Sequence, residues 1–138
     1  MPGFQIVEHT ADVGVLATGD TFGEALSFLA RGAISLMLEP GEFQARDVVT
    51  VEVEATDAEA LAVDWLNELL YLYEAEGFVP VDVSVETTED GSKLTAQCRG
   101  ERVNTAAREL VTEVKAATYH GVSVRHDGEW RVQVILDV

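Results

Sequence analysis

The sequence predicts an α+β fold, in which a largely antiparallel sheet carries two long helices packed on one face. Short, alternating, β-branched segments indicate strands, and two Asp-Gly pairs between such segments are typical of hairpins. Two longer segments show helical spacing of apolar residues behind capping signals. Strands joined by hairpins with helices inserted between them favour this class. The 138 residues predict a single domain spanning residues 1–138.

The first third of the chain predicts two strands and a helix. Residues 4–8 and 13–17 have strand character and are separated by a polar break. Thr21 and Glu24 have the spacing of a capping box, so we expect a helix to begin at Phe22. Apolar residues then recur at the spacing of one buried stripe. Pro40 and Gly41 are expected to end the helix.

The middle of the chain predicts a strand and the strongest helix. Residues 48–54 are β-branched and alternate. Residues 56–59, Thr-Asp-Ala-Glu, read as a second capping box before a helix over residues 58–75, which Gly77 stops. This helix has a wide apolar face. Its more polar side is interpreted as a solvated face rather than a binding face, and it carries Asp64, Asn67, Glu68 and Tyr71.

The last part of the chain predicts two hairpins. Residues 79–86 and 93–99 form strands around Asp90-Gly91, and Pro80 places the start of the first strand at an edge or outside the ladder. Residues 104–110 are ambiguous between a helical turn and a loop, and residues 114–124 look extended in parts. A second Asp-Gly pair, Asp127-Gly128, precedes the last strand over residues 130–136.

The charge of the chain is unusual, because 9 basic and 25 acidic side chains give a net charge of −16. A domain that binds phosphate backbones directly normally has a basic patch, so we expect no direct nucleic-acid binding. Two explanations of the charge stay open. It provides a solubility surface or an adaptation to high salt, or it steers the protein electrostatically to a partner with a basic groove.

The composition also predicts a soluble cytoplasmic protein. Residues 1–3 lack the basic start of a signal peptide, and no apolar run approaches the length that spans a bilayer. Cys98 is the only cysteine, so no internal disulfide can form and a reducing compartment is compatible. We interpret Cys98 as a small apolar residue in a strand.

The two ends of the chain predict a metal site. Asp12 lies in the polar break of residues 8–14, and Asp137 precedes the terminal Val138. Because the first and last elements are both strands, they can be sheet neighbours, which would bring Asp12, Asp137 and the α-carboxylate of Val138 together. Hard oxygen ligands of this kind suit Ca²⁺ or Mg²⁺. The alternatives are that Asp12 bonds its own backbone in a turn and that Asp137 is a solvated end residue.

The sequence offers little support for other chemistry. His9 is expected to be structural, since no second His or Cys has the spacing of a zinc site. Tyr119 and His120 are expected to be an ordinary core or surface pair. No nucleophile elbow, phosphate loop or dinucleotide fingerprint is present. A small metal-dependent hydrolase that uses Asp12 and Asp137 stays open as an alternative.

Several separated motifs resemble the archease family in the right order and from end to end. They are the early helix with Glu24-Ala25, the closing Leu136-Asp137-Val138, and the segments EHTADVG at residues 8–14, DWLNELLYL at 64–72, EGF at 76–78 and EVKAATYHG at 113–121.

The resemblance implies a cytoplasmic, non-catalytic accessory protein of tRNA splicing and RNA repair. Its expected partner is the RtcB-type RNA ligase, whose guanylylation and multiple turnover the family promotes. A chaperone-like modulation of a tRNA methyltransferase is also linked to the family. The family's divalent metal site falls on Asp12, Asp137 and Val138. The resemblance, in contrast to the residue types alone, implies that His9 and Lys115 face the partner.

Overall fold

The computed structural model describes residues 2–8, 12–39, 43–105 and 110–138. Within these ranges the chain forms seven strands and two helices: β1 (Gly3–Glu8), β2 (Asp12–Gly19), α1 (Phe22–Met37), β3 (Asp47–Glu54), α2 (Ala58–Glu76), β4 (Phe78–Thr87), β5 (Lys93–Arg102), β6 (Ala116–Asp127) and β7 (Glu129–Asp137). Every strand pairing in these ranges is antiparallel, so the predicted α+β class is confirmed.

The strands divide into two sheets rather than one. The first has the order β1-β2-β7-β6 and the second the order β3-β5-β4. Helix α1 packs against the backbone of β4: a Cβ at Gly23 would lie 2.2 Å from the carbonyl oxygen of Val85. Because α1 also contacts β1 and β2, it occupies the space between the two sheets. Alternating sequence patterns report which face of a strand is buried, but not which sheet the strand joins.

Each sheet packs one face against the helices. Both helices contact both sheets, and the strand residues that point inward are buried. Those with no exposed surface include Val15, Ala17, Phe78, Val79, Ala96, Cys98, Val132, Val134 and Leu136. Trp65 of α2 is fully buried, and its Nε1–H donates to the carbonyl of Leu26 in α1 at 2.9 Å. This bond satisfies the indole in the core and fixes one helix against the other.

The helix ends follow the predicted capping chemistry with one shift. Thr21 caps α1, because its hydroxyl accepts from the N–H of Glu24 at 3.0 Å. The cap of α2 is Asp57 and not Thr56, since the Asp57 carboxylate accepts from the N–H of Ala60 at 2.8 Å. Both side chains can cap a helix, and here the residue adjacent to Ala58 does so. Gly77 ends α2 in the left-handed conformation, with φ of 68°.

The ends of α1 and of the central strands differ slightly from prediction. Helix α1 ends at Met37, and residues 40–42, where Pro40 and Gly41 were expected to end it, lie outside the described residues. The predicted hairpins are confirmed at Gly91 and Gly128, which have φ values of 70° and 75°. Pro80 lies in the edge strand β4, next to a register shift, as expected for a residue without an N–H.

The part of the chain that the structure describes contains no helix with the length and apolarity to cross a membrane.

Candidate metal centre

The register between β2 and β7 places Asp12 directly opposite Asp137. The two residues are Cα partners at the end of this antiparallel ladder. The expectation that the first strand would be the neighbour of the last is wrong, because β1 forms a hairpin with β2, and β2 then lies between β1 and β7. Asp12 is accordingly the first residue of β2 and not part of β1. The predicted proximity of Asp12 and Asp137 is nevertheless observed.

Both aspartates lie on the outer face of the first sheet. Leu136 and Val13, their neighbours in the ladder, point towards the helices, and Leu136 is fully buried. Successive side chains in a strand alternate between faces, so Asp12 and Asp137 share the opposite face. Directly opposed residues in antiparallel strands have Cβ atoms about 4.5–5.5 Å apart. Two carboxylates therefore lie side by side at this edge of the molecule.

Neither carboxylate is balanced by another side chain in the part of the chain that the structure describes. Among the described residues, no ion pair or side-chain hydrogen bond involves Asp12 or Asp137. Like charges directly opposite each other in a sheet are destabilising. The pair therefore constitutes an uncompensated site of negative charge that a cation would stabilise.

The last residue is held close to this pair. The carbonyl of Asp137 accepts from the N–H of Lys115 at 2.8 Å, and the side chain of Val138 is partly buried against the core. Val138 thus follows Asp137 on an anchored segment. Ala116 pairs with Asp137 on the side away from β2.

The donor set of this end of the molecule consists of oxygen atoms. The described part of the chain contains no group of three or more His, Cys, Asp or Glu side chains that could hold a metal. Asp12 and Asp137 supply two such side chains, and the third predicted group, the carboxylate of Val138, is a main-chain group. Carboxylate oxygens alone favour Ca²⁺ or Mg²⁺ over zinc or copper, so the residues present fit the expected class of ion.

The remaining residues singled out from the sequence are His9, Lys115 and Cys98. His9, which the resemblance placed towards a partner, lies outside the described residues. Lys115 is exposed immediately before β6. Cys98 is fully buried in β5, and burial raises the pKa of its thiol from 9.0 to about 11. The interpretation of Cys98 as a small core residue is confirmed.

Helix α2 positions strand β6 beside the aspartates in a way that the sequence did not predict. The side chain of Asn67 donates to the carbonyl of Ala117 at 3.0 Å and accepts from its N–H at 2.8 Å. Ala117 lies in the edge strand of the sheet. The side-chain amide of Asn67 therefore makes the main-chain hydrogen bonds that a neighbouring strand would otherwise make. Predicting this bond requires knowing which strand passes beside the helix.

A second contact links α2 to β6 where β6 departs from regular pairing. The register between β6 and β7 shifts between Thr118 and Ser123. In this bulge the exposed Tyr119 donates its hydroxyl hydrogen to Asp64 of α2. That hydrogen bond, with burial and nearby carboxylates, raises the pKa of the Tyr119 hydroxyl. Tyr119 is therefore a surface residue with a specific partner, and the polar side of α2 is only partly a solvated face.

Comparison with known proteins places these features in a family context. Residues 4–138 match the Archease protein family (MTH1598/TM1083). A protein archease from Thermococcus kodakarensis is 41% identical over 135 residues, which cover 95% of each chain. A protein archease from Pyrococcus abyssi is 35% identical over 142 residues, which cover all of both chains.

Solved structures share the fold. The solution structure of Methanobacterium thermoautotrophicum protein 1598 has a TM-score of 0.80 and 30% sequence identity, with full coverage of both chains. The crystal structure of an archease described as a possible chaperone, from Thermotoga maritima, has a TM-score of 0.65 and 18% identity, and covers 96% of this chain and 94% of that one. On the family match, the sequence identities and the shared fold, this chain belongs to the archease family.

Proposed function

We propose that this protein is a non-catalytic accessory protein of tRNA splicing and RNA repair, which binds a divalent metal ion and activates an RtcB-type RNA ligase. Membership of the archease family supports an RtcB-type ligase as the partner. The choice of this partner rests on the resemblance between the motifs of this chain and those of the family. The observation that carries the metal site is the direct opposition of Asp12 and Asp137 without a charge partner among the described residues.

Asp12, Asp137 and the terminal carboxylate of Val138 would hold the ion. Bound there, a hard divalent cation supplies positive charge that offsets the repulsion between the carboxylates. Asp12 lies at the start of β2 and Asp137 at the end of β7. The chain therefore contributes a rigid, oxygen-rich corner on a sheet whose neighbouring strand β6 is fixed by Asn67.

The same corner provides a surface on which the ligase can dock. Lys115, Tyr119 and His120 are exposed on or just before β6, and Ala116 of this strand pairs with Asp137. We assign the ligase-facing surface to this segment together with the two aspartates. The carboxylates either shape this surface through their bound ion or are presented to the metal or nucleotide in the active site of the ligase.

The direct test measures guanylylation and multiple-turnover ligation by a cognate RtcB-type ligase with and without this protein. Asp12→Asn and Asp137→Asn remove charge while keeping the shape of each side chain. Each variant should stimulate the ligase at least tenfold less than wild type does, because each removes an expected metal ligand. Asp127→Asn is the matched control, since Asp127 is exposed at the far end of the same β6–β7 hairpin.

The assay also separates the alternatives. Stimulation that survives in both Asp12→Asn and Asp137→Asn would contradict the proposed role of the pair. Hydrolysis of phosphate esters by the isolated protein with Mg²⁺ or Mn²⁺ would instead support a metal-dependent hydrolase that uses Asp12 and Asp137. A chaperone-like modulator of a tRNA methyltransferase would change the activity of that enzyme, with little dependence on Asp12.

A further inference from the structure

The two sheets have four edge strands, β1 and β6 in the first sheet and β3 and β4 in the second. Natural proteins protect such edges by covering, shortening or interrupting them. Helix α1 packs against the carbonyl of Val85 in β4, and Pro80 lies at a register shift in the same strand. Asn67 of α2 bonds β6 at Ala117, and β1 has six residues and contacts α1. Among the described strands β3 is the exception, because it has eight residues, no register shift with β5 and no proline or glycine.

The hydrogen-bonding phase of β3 shows which residues form its free edge. The N–H of Ala55, the residue after β3, donates to the carbonyl of Ser92 at 2.8 Å. Bonded and non-bonded pairs alternate along an antiparallel ladder, so the odd-numbered residues of β3 bond β5 and the even-numbered residues direct their N–H and C=O groups away from it. In the described part of the chain, these outward groups bond no loop or helix. The open edge of β3 consists of Val48, Thr50, Glu52 and Glu54.

The side chains beside the open edge differ on the two faces of the strand. Val49 and Val53 point towards the core, yet each is only partly buried. The four side chains of the open edge are exposed on the outer face. Glu52 forms no ion pair with a described residue, and Glu54 has only the exposed Lys93, whose Nζ lies 3.6 Å from Oε2. A strand added here would cover the two valines on one face and meet two carboxylates on the other.

We propose that the open edge of β3 binds an extended, basic segment of a partner protein as an added antiparallel strand. In this mode main-chain hydrogen bonds supply affinity, and alternate side chains supply specificity. Apolar side chains on one face of the segment cover Val49 and Val53, and lysine or arginine side chains on the other face meet Glu52 and Glu54. A second copy of this chain is disfavoured, because it would bring the same glutamates and its own net charge of −16.

The proposal does not depend on the metal centre, because the open edge lies in the second sheet and both aspartates lie in the first. The probe is a capped peptide of alternating lysine and valine, added to the ¹⁵N-labelled, metal-free protein at constant ionic strength. Near saturation, hydrogen exchange should slow by about tenfold at the four amides of the open edge, since their N–H groups gain a partner. The amides of Val49, Val51 and Val53, which already bond β5, should change less.

Methylation of the peptide main chain separates strand addition from simple charge attraction. In an antiparallel pair, the lysines that share the outer face with the glutamates direct their N–H groups towards β3, and the valines direct theirs away. Methyl groups on the lysine nitrogens should therefore weaken binding by about tenfold, because they block the bonds to β3. Methyl groups on the valine nitrogens should change the affinity by less than about twofold. Equal binding of the two methylated peptides would overturn the proposal.

Two pairs of variants locate the added strand. Thr50→Pro removes an outward N–H at an edge position, where proline is tolerated, and should abolish peptide binding, whereas Thr50→Ala keeps the N–H and should bind normally. Glu52→Gln should weaken binding by about threefold, since it removes one charge facing the peptide. Glu86→Gln is its matched control, because both glutamates are cross-strand partners of Thr95, one on each side of β5.

The glutamate pair and the methylated peptides keep the test decisive if Thr50→Pro does not fold. The proposal is overturned if the open-edge amides gain no protection, or if Glu52→Gln and Glu86→Gln bind the peptide equally. It is also overturned if light scattering shows that the peptide-free protein forms a dimer that dissociates when the peptide is added, because a second copy would then occupy the edge.

Discussion

Single residues in this protein illustrate which properties a sequence reveals. Cys98 was interpreted as an apolar strand residue from its neighbours, and it is fully buried. Asp12 and Asp137 were expected to meet, and they are cross-strand partners. The expectation for Cys98 depended on the local pattern of its strand. The expectation for Asp12 and Asp137 depended on the strands near the two ends of the chain. In contrast, the hydrogen bond from Tyr119 to Asp64 joins residues 55 positions apart, which no local pattern encodes.

The buried Cys98 thiol should make stability depend on alkaline pH. Its pKa is 9.0 without burial and about 11 in the folded protein. Below pH 9 the thiol is protonated in both states and contributes nothing to the dependence. Between pH 9 and 11 the unfolded chain ionises while the folded chain keeps its proton, so the free energy of unfolding falls as the pH rises, by up to about 1.4 kcal/mol per pH unit from this group.

Urea denaturation of wild type and Cys98→Ala at several pH values checks this expectation. Lysines and tyrosines titrate in both proteins, so the difference between their slopes isolates the thiol. Wild type should lose stability relative to Cys98→Ala over the window from pH 9 to 11. Parallel pH profiles for the two proteins would show that the thiol does not have a raised pKa.

At the scale of elements, the sequence predicted strands and helices well but not their neighbours. Capping residues, hairpin glycines and alternation are local signals, and they located α1, α2 and both Asp-Gly hairpins. The strands nevertheless divide into two sheets, and α1 contacts β4 of the second sheet through Gly23. Judged from the sequence alone, a glycine in a helix only lowers the helical propensity. The tertiary arrangement shows why Gly23 is needed there.

The contact between α2 and β6 should matter for stability at the candidate centre. Asn67→Ala removes two hydrogen bonds to Ala117 and leaves a main-chain N–H and C=O without their partner. We expect a loss of about 1–3 kcal/mol in the free energy of unfolding, reduced by up to about 0.7 kcal/mol because alanine favours the helix.

Denaturation in urea and hydrogen exchange at the Ala117 amide measure this effect. Glu68→Ala is the matched control, because Glu68 is the next residue of α2, is only partly exposed, and its side chain forms no hydrogen bond or ion pair with a described residue. It should change stability by less than about 0.5 kcal/mol. Equal stabilities for the two variants, or unchanged exchange at Ala117, would show that Asn67 does not hold the strand.

At the scale of the whole molecule, charge and topology act together. A protein with a net charge of −16 associates faster with a basic partner and more weakly as salt rises. The order β1-β2-β7-β6 places the start of β2 and the end of β7 at one corner. The candidate metal centre and the bulge of β6 both lie near this corner, which is where the proposed function places the ion and the docking surface.

The central claim is that Asp12, Asp137 and the terminal carboxylate of Val138 bind one divalent ion. Isothermal titration calorimetry with Ca²⁺ and with Mg²⁺ tests it most directly, on wild type and on a chain with three residues appended after Val138. The appended residues leave every side chain intact but remove the terminal carboxylate from its place. We predict one ion per wild-type chain and an affinity at least tenfold weaker in the extended chain. Absence of binding heat for both ions, or equal affinity in the two chains, would contradict the claim.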